Sequence, residues 1–471
     1  MNIRIEGATG DVLSGLKCLH EIIHQLEPTT EQRRKISEAV NEVLSNLRDL
    51  IEDSGLQGVV HEISVHGSFA RDTWLPGDTD VDIFVLFDKS LELEDLRKLT
   101  EELSQKLAVR LNTRLETRFA SHPYYVIIYK GIELELIPAY KINDIREMKS
   151  AVDRTPFHTA YVLSKLSENP DLKRDIRVFK ALLRKLGIYG AELEVRGFSG
   201  YLSEVLIITY GGLVPLLSAA AKWIPWKIYI PRKVPQKLRG TAPLVVLDPV
   251  DSQRNAAAAV SVEQLSKLIA FSNVFLKFPQ ILCCVLGEVE SLEYLTYRPD
   301  KNTILLRLMG HPPLVKDALA GKVRRILDGV SNSLEREGFR VMRKLMVNLH
   351  GEWFIILQLE EAELPFLEKR VGPPVWHENS LNFLKKWVLN NPAPFIDGDR
   401  WVVISERKTR KAEDVIINAL KAYKEYEWEI LNGATSQERL PEAYYNDISR
   451  ILAGNEVWIL CLRRFLIGQT S

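Results

Sequence analysis

The apolar residues Ile36, Val40, Val43, Leu47 and Ile51 recur three or four positions apart, the spacing that lines up one face of a helix. Thr29 followed by Gln32 has capping-box form just before them, so the chain begins with a scaffold helix. The period then changes. Glu62 to His66, Val81 to Phe87 and Gly131 to Ile137 read as short strands, and Leu93 to Leu111 reads as an amphipathic helix between the second and third. These elements predict a mixed α/β domain ending near Ile145.

From Thr155 to about Phe271 the pattern is mainly helical. Ile176, Phe179, Leu183 and Leu186 stripe a helix over Asp171 to Leu186; a second follows over Gly200 to Tyr210, and a third after Ser261, whose Gln264 suggests another capping box. A strand at Leu244 to Leu247 leads into a loop, Asp248 to Asn255. Further on, strands at Thr303 to Leu308, Phe339 to Val347 and Trp353 to Leu359, with a helix near Leu314 to Glu337, predict a small sheet-and-helix body, and helices close the chain. The expected class is α+β and multidomain: a head over 1–145, a central domain over 146–271, and body and tail over 272–471.

Composition narrows the options. A chain of 471 residues, 46% of them hydrophobic, supports several cores. Lys plus Arg and Asp plus Glu each total 62, so a polyanion partner must be met by local basic surfaces rather than by net charge. The most apolar stretch, Leu206 to Ala221, is broken by Gly211, Gly212 and Pro215 and reads as a buried helix and turn, not a membrane span. Met1 to Leu26 has no signal-peptide pattern. Cys283 and Cys284 are adjacent while Cys18 and Cys461 are distant, a spacing that suits neither zinc nor a disulfide framework. A cytoplasmic location is the expectation.

Candidate chemistry is concentrated in His66-Gly67-Ser68-Phe69-Ala70-Arg71-Asp72-Thr73-Trp74-Leu75 and the following Asp80-Val81-Asp82-Ile83-Phe84. Strand alternation places Asp80 and Asp82 on one face, a natural Mg²⁺ site because that ion takes a few carboxylates plus phosphate oxygens. Gly67-Ser68 sits where a strand hands over to a helix, and its free N–H groups and hydroxyl suit a triphosphate. The strand Gly131 to Pro138 offers Glu133 and Glu135, again on one face, and periodicity does not choose between them. An Asp-x-Asp pair alone is usually a solvated turn, and Gly-Ser before a helix usually a cap. Their conjunction between two apolar strands, followed by an acidic strand, points to nucleotidyl transfer.

These motifs resemble those of the DNA polymerase β nucleotidyltransferase superfamily and, more narrowly, the archaeal class I CCA-adding enzymes. The resemblance extends through His122-Pro123-Tyr124, Ser150 to His158, Gly187 to Glu192, Val195 to Leu202, Asp248 to Asn255, Gly372-Pro373-Pro374 and Glu406-Arg407-Lys408. It implies a polymerase-β-like head, with addition or repair of the 3′ CCA of tRNA from CTP and ATP. Asp80 and Asp82 then match the metal-binding pair and Glu135 the third carboxylate, where the family commonly has Asp. Ser68, Arg71 and Lys180 match contacts to the triphosphate; His158 and Tyr189 line the nucleotide pocket; Arg254 reads the incoming base together with RNA phosphates.

Read without the family, Arg177, Lys180 and Arg184 form a basic helix side that would usually be solvated, His158 an interior histidine, and Arg254 a surface charge. The tRNA would be recognised by shape, with Arg324, Arg325, Arg407, Lys408 and Lys411 as candidates for the acceptor stem and T arm. A tail-mediated homodimer is compatible with this organisation. A poly(A) polymerase with the same core and a non-catalytic RNA-binding protein on the same scaffold are the rival readings.

Overall fold

A computed structural model describes residues 21–77, 80–119, 123–287, 296–390, 392–454 and 456–468. Two units are distinguished: Met1–Glu293 with Glu456–Ser471, and Tyr294–Asn455.

In the first unit a helical segment at residues 21–25 precedes α1 (Thr30–Asp53). Its capping box is complete: Gln32 N donates to Thr29 Oγ1 at 3.1 Å, and Thr29 N donates to Gln32 Oε1 at 2.8 Å. Next come β1 (Val60–His66), the one-turn α2 (Gly67–Ala70), β2 (Asp80–Phe87), α3 (Leu93–Arg110), β3 (Leu115–Phe119), β4 (Pro123–Tyr129) and β5 (Ile132–Tyr140). The sheet order is β1-β2-β5-β4-β3, with β2 and β5 parallel. Alternation gives the sheet two different faces. Val81, Ile83, Val85 and Phe87 join Leu134 and Leu136 in a core with Val40, Val43 and Leu47 of α1 and Leu96, Leu103 and Leu107 of α3. The opposite face carries Asp80 and Asp82, then a small apolar patch of Phe84, Leu86, Ile137 and Ala139. Thus one end of that face is left polar. The β3–β4 pair is additional to the three strands that the pattern predicts.

The central part holds α4 (Thr155–Glu168), α5 (Leu172–Lys185), α6 (Gly200–Tyr210), α7 (Leu213–Ala220), the short parallel pair β6 (Ile228–Ile230) and β7 (Leu244–Val246), α8 (Val262–Lys277) and α9 (Ile281–Leu286). One core joins Ile176, Phe179, Leu206, Leu268 and Ile281, and it also takes in Leu460 and Cys461 of the last helix, Val457–Gly468. Packing therefore carries this core beyond residue 271 and returns the end of the chain to it. Gly211, at φ 75°, closes α6, and α7 leaves at 95° to it. Among the described residues no single helix is long and apolar enough to cross a membrane.

Cys284 is bonded to Cys461 across 177 positions, which corrects the expectation that the cysteines form no disulfide. Adjacency in sequence is no guide when the partner arrives on a helix from the far end of the chain. The cysteine spacing therefore gives no support to the expected cytoplasmic location; Cys18 lies outside the described residues.

In the second unit β8 (Thr303–Gly310), β9 (Val341–Leu349), β10 (Glu352–Leu359) and β14 (Glu427–Asn432) form a sheet in the order β14-β8-β10-β9. Its core includes Val323, Ile326, Val330 and Leu334 of the helix Lys316–Arg336. A smaller sheet, β11-β13-β12, joins β11 (Leu367–Pro374), β12 (Phe395–Asp397) and β13 (Arg400–Glu406). The stretch beyond Leu359 thus holds strands as well as the helices expected there.

Candidate active site

The parallel register sets the acids side by side: Asp80 faces Glu133 and Asp82 faces Glu135, and the pairing continues to Phe87 and Tyr140 without a shift. Arg118 on β3 takes Glu133 out of contention for the centre, holding its carboxylate at 2.7 and 3.2 Å and keeping it below the usual pKa range. Among the described residues Glu135 has no such partner. Burial first, then the neighbouring Asp82 and Asp80, push its pKa up to about 8. Burial likewise pushes Asp82 to about 6, against the pull of Arg71, and raises Asp80. These are desolvated acids that repel one another, a situation relieved by a cation.

That donor set fits a divalent metal with open positions. Among the described residues no group of three or more His, Cys, Asp or Glu side chains is placed to hold a metal ion by itself, so the protein's own part is the Asp80 and Asp82 pair on one face of β2. An open set of hard oxygen donors, leaving room for phosphate oxygens and water, is what Mg²⁺ prefers.

The turn before β2 is built around Asp82. Gly67 has φ 69°, and a Cβ there would lie 1.6 Å from Asp82 Oδ2 and 2.7 Å from its Cγ. Only glycine allows both that backbone conformation and that approach. Gly67→Ala is expected to cost about 1–3 kcal/mol of stability and, by displacing Asp82, to lower nucleotide incorporation at least about tenfold; melting curves and initial rates on one preparation check both. His66, paired in register with Asp82, is buried, and burial lowers its pKa to about 4. Its Nε2 meets Ser64 Oγ at 2.9 Å, and its Nδ1 has no partner among the described residues. Ser68 stands half-buried in the first turn of α2.

Arg71 and Lys180 converge on one buried acid, Glu204 of α6. Arg71 Nε lies 2.9 Å from Glu204 Oε2; because the N–H is not aimed at that oxygen, the contact is an ion pair and not a directed hydrogen bond. Arg71 also donates to Thr159 Oγ1 at 3.2 Å. Lys180 Nζ donates to Glu204 Oε1 at 3.1 Å, to the Thr73 carbonyl at 3.1 Å and to Thr73 Oγ1 at 3.2 Å. Beside this cluster Asp72, at φ 55°, collects Arg33 of α1 and Lys173 and Arg177 of α5. With exposures of 3% and 2%, Arg177 and Lys180 do not form the solvated face that their helical spacing suggests. Arg184 lies with its guanidinium 4.7 Å from the centre of the Tyr189 ring, and Asp80 is among the acids that help burial raise the Tyr189 pKa.

A second buried acid, Asp248, organises the rest. Its Oδ2 meets His158 Nε2 at 2.9 Å and accepts from Arg254 at 2.7 Å. Its Oδ1 accepts from Tyr201 Oη and Val250 N, both at 3.0 Å. The His158 and Tyr201 rings stack 3.8 Å apart. Burial lowers the His158 pKa despite the acid. Next to it Arg154 donates to Asp251 at 3.1 Å, so two acids of one loop hold two arginines.

The sites named from sequence therefore fall into three groups within the first unit: Asp80, Asp82 and Glu135; Arg71 and Lys180 with Tyr189 close by, reached by Ser68 through its carbonyl, which accepts from Thr73 N at 3.0 Å; His158 with Arg254. Glu204 and Asp248 were missed as hubs. The only sequence signal for Glu204 is a lone charge in the apolar helix Gly200 to Tyr210. His122 lies outside the described residues. In the second unit Arg407 is tied to Glu368 at 3.2 Å.

Comparison with known proteins gives matches along most of the chain. Residues 44–158 match a nucleotidyltransferase domain family, residues 174–283 the second domain of tRNA nucleotidyltransferase, and residues 302–426 the C-terminal domain of CCA-adding enzyme. The CCA-adding enzyme of Pyrobaculum islandicum is 34% identical over 404 residues, covering 84% of this chain and 92% of that protein. That of Pyrobaculum neutrophilum is 35% identical over 401 residues, with coverage of 84% and 92%. The Haloarcula marismortui enzyme is 32% identical over 418 residues, with coverage of 83% and 86%.

Proposed function

The chain belongs to the CCA-adding enzymes, and from that membership we infer how its own residues divide the work. It is a tRNA nucleotidyltransferase that completes the 3′ end without a template, from CTP and ATP, with release of pyrophosphate. The nucleotidyltransferase fold uses divalent metal, and we assign Mg²⁺ because the donors are all carboxylates in an open arrangement. The observation that carries the site is the β2–β5 register that puts Asp82 against Glu135.

Asp80 and Asp82 hold the metal from β2. Glu135 stands across from Asp82, where it orients the 3′ hydroxyl of the tRNA; with no shift in register, its carboxylate reaches one methylene further than an aspartate would. The metal, when bound, supplies positive charge to the phosphate oxygens and makes the attacking hydroxyl more acidic. Ser68, Arg71 and Lys180 receive the triphosphate, His158 and Tyr189 flank the nucleotide, and Arg254 presents guanidinium donors to its base. The 3′ oxygen bonds to the α-phosphorus as the bond to the pyrophosphate oxygen breaks.

Recognition of the acceptor stem and T arm by shape is supported by basic side chains such as Arg325 and Lys408 in the second unit, and requires no base reading. The exposed Trp376, Leu381, Val388 and Leu389 of that unit suit a second copy of the chain as a homodimer partner. A cytoplasmic location, with its tRNA substrates, is the reading that this activity supports.

The test is incorporation of labelled CTP and ATP, alone and together, into tRNA ending before its CCA, with Mg²⁺ and beside Asp82→Asn. The expected result is two C residues from CTP alone, one terminal A when ATP joins it, and neither with the variant. Untemplated tailing from ATP alone would make the protein a poly(A) polymerase. No incorporation, with tRNA still bound, would leave an RNA-binding protein on this scaffold.

A further inference from the structure

Glu204 is the sole charged residue of α6, is fully buried, and lies among Leu202, Val205 and Leu206 of its own helix, which belong to the core. A carboxylate in such a place is strongly unfavourable unless it is paired. Its partners come from separate parts of the chain. Arg71 and Thr73 belong to the segment between α2 and β2, and Lys180 to α5. Thr73 Oγ1 donates to the same Oε1 that Lys180 reaches. One buried acid thus faces two buried cations, one of which is in excess of the charge it can balance.

We propose that Glu204 is a positioning residue for the nucleotide, holding Arg71 and Lys180 as a fixed pair of cations for the triphosphate. By pairing with the Lys180 amine it also favours the charged form of that amine. This rests on the assignment of those two cations to the triphosphate. The groups around Lys180 give the reason. Burial lowers its pKa, and Arg71 and Arg177 act in the same direction; Glu204 raises it. Thr73 is neutral, and the Tyr189 hydroxyl, close to Gly200 as Lys180 is, carries no charge near neutral pH. Arg184, one turn further along α5, adds positive charge. Glu204 itself remains ionised: burial pushes its pKa up, but Arg71 and Lys180 outweigh burial and hold it below its usual range. Asp72, next to Thr73 in the chain, is itself held by Arg33, Lys173 and Arg177, so without Glu204 the acid paired directly with Lys180 is gone while burial, Arg71 and Arg177 still favour loss of its proton.

The experiment measures equilibrium binding of CTP with Mg²⁺ to the full chain from pH 6 to 9, with a melting curve for each protein. Arg71→Ala and Lys180→Met test the underlying assignment: each is expected to weaken CTP at least about tenfold, about 1.4 kcal/mol. If neither does, the assignment fails and the inference with it. Glu204→Gln is expected to weaken CTP at least about tenfold at pH 8.5, with the loss shrinking as pH falls and Lys180 regains its proton. Glu204→Asp keeps a charge to balance the cations but withdraws it by one methylene. It is expected to show a smaller loss in the same direction, and it carries the test if Glu204→Gln does not fold. A general structural defect would lower binding equally at every pH. With the two cation variants weakened, a folded Glu204 variant whose affinity relative to wild type does not change with pH overturns the proposal.

Discussion

Glu135→Ala abolishes nucleotide incorporation while Glu135→Asp retains it, and the alanine protein melts higher than wild type when metal is removed. The activity loss is expected to be at least about a thousandfold, about 4 kcal/mol in the barrier, because the acid beside Asp82 is lost from the reacting centre. The gain in stability follows from the same crowding. Glu135 and Asp82 have pKa values of about 8 and about 6 in the folded chain, both above those of free carboxylates. Folding therefore favours their protonated forms. Their contribution is most favourable below about pH 4 and is withdrawn as pH rises to about 8. In EDTA, the stability difference between Glu135→Ala and wild type should therefore widen over that range, reaching on the order of 2 kcal/mol. Mg²⁺ at pH 8 should raise the melting temperature of wild type and leave that of Asp82→Asn unmoved. Full activity in Glu135→Ala would transfer the role to Glu133, which would first have to leave Arg118.

How much of this is legible in the sequence depends on how far apart the partners lie. Asp80 and Asp82 need only the two-residue alternation of a strand, and the Thr29–Gln32 box only one turn of helix. The second candidate box is half formed: Ser261 Oγ accepts from Gln264 N at 3.3 Å, but the Gln264 amide turns away to the Val195 carbonyl. The choice between Glu133 and Glu135 depends on Arg118, on a strand that the pattern leaves out. Thr73 and Glu204 are 131 positions apart, and His158 and Asp248 are 90. No periodicity relates such pairs. The resemblance to the family singles out the cations and the histidine as candidates because they belong to its motifs, but the two acids that hold them emerge only when the helices pack. The same reason accounts for the disulfide.

Asp248 is where selection of the nucleotide should fail most visibly. Its carboxylate serves Arg254, His158 and Tyr201 together, and although burial pushes its pKa up, the hydrogen bond from His158 and the Arg254 contact more than offset this and keep it ionised. Asp248→Ala removes the common acceptor and leaves a guanidinium, an imidazole and a phenol to find other partners, at a cost of about 3–5 kcal/mol. Asp248→Asn is the more informative change, since it keeps the volume and one acceptor while releasing the charge that fixes Arg254. The expected result is not a uniform loss. The ratio of kcat/KM for CTP to that for UTP should fall at least about tenfold, because a base-reading arginine discriminates only while its donors are held in place, whereas transfer at the metal centre continues. Arg254→Ala should lower the ratio similarly, and the double variant should add little, since both changes remove one arrangement. An Asp248→Asn enzyme that slows with every nucleotide alike, its selectivity intact, would reduce Asp248 to a structural acid and leave Arg254 without a support for its reading of the base.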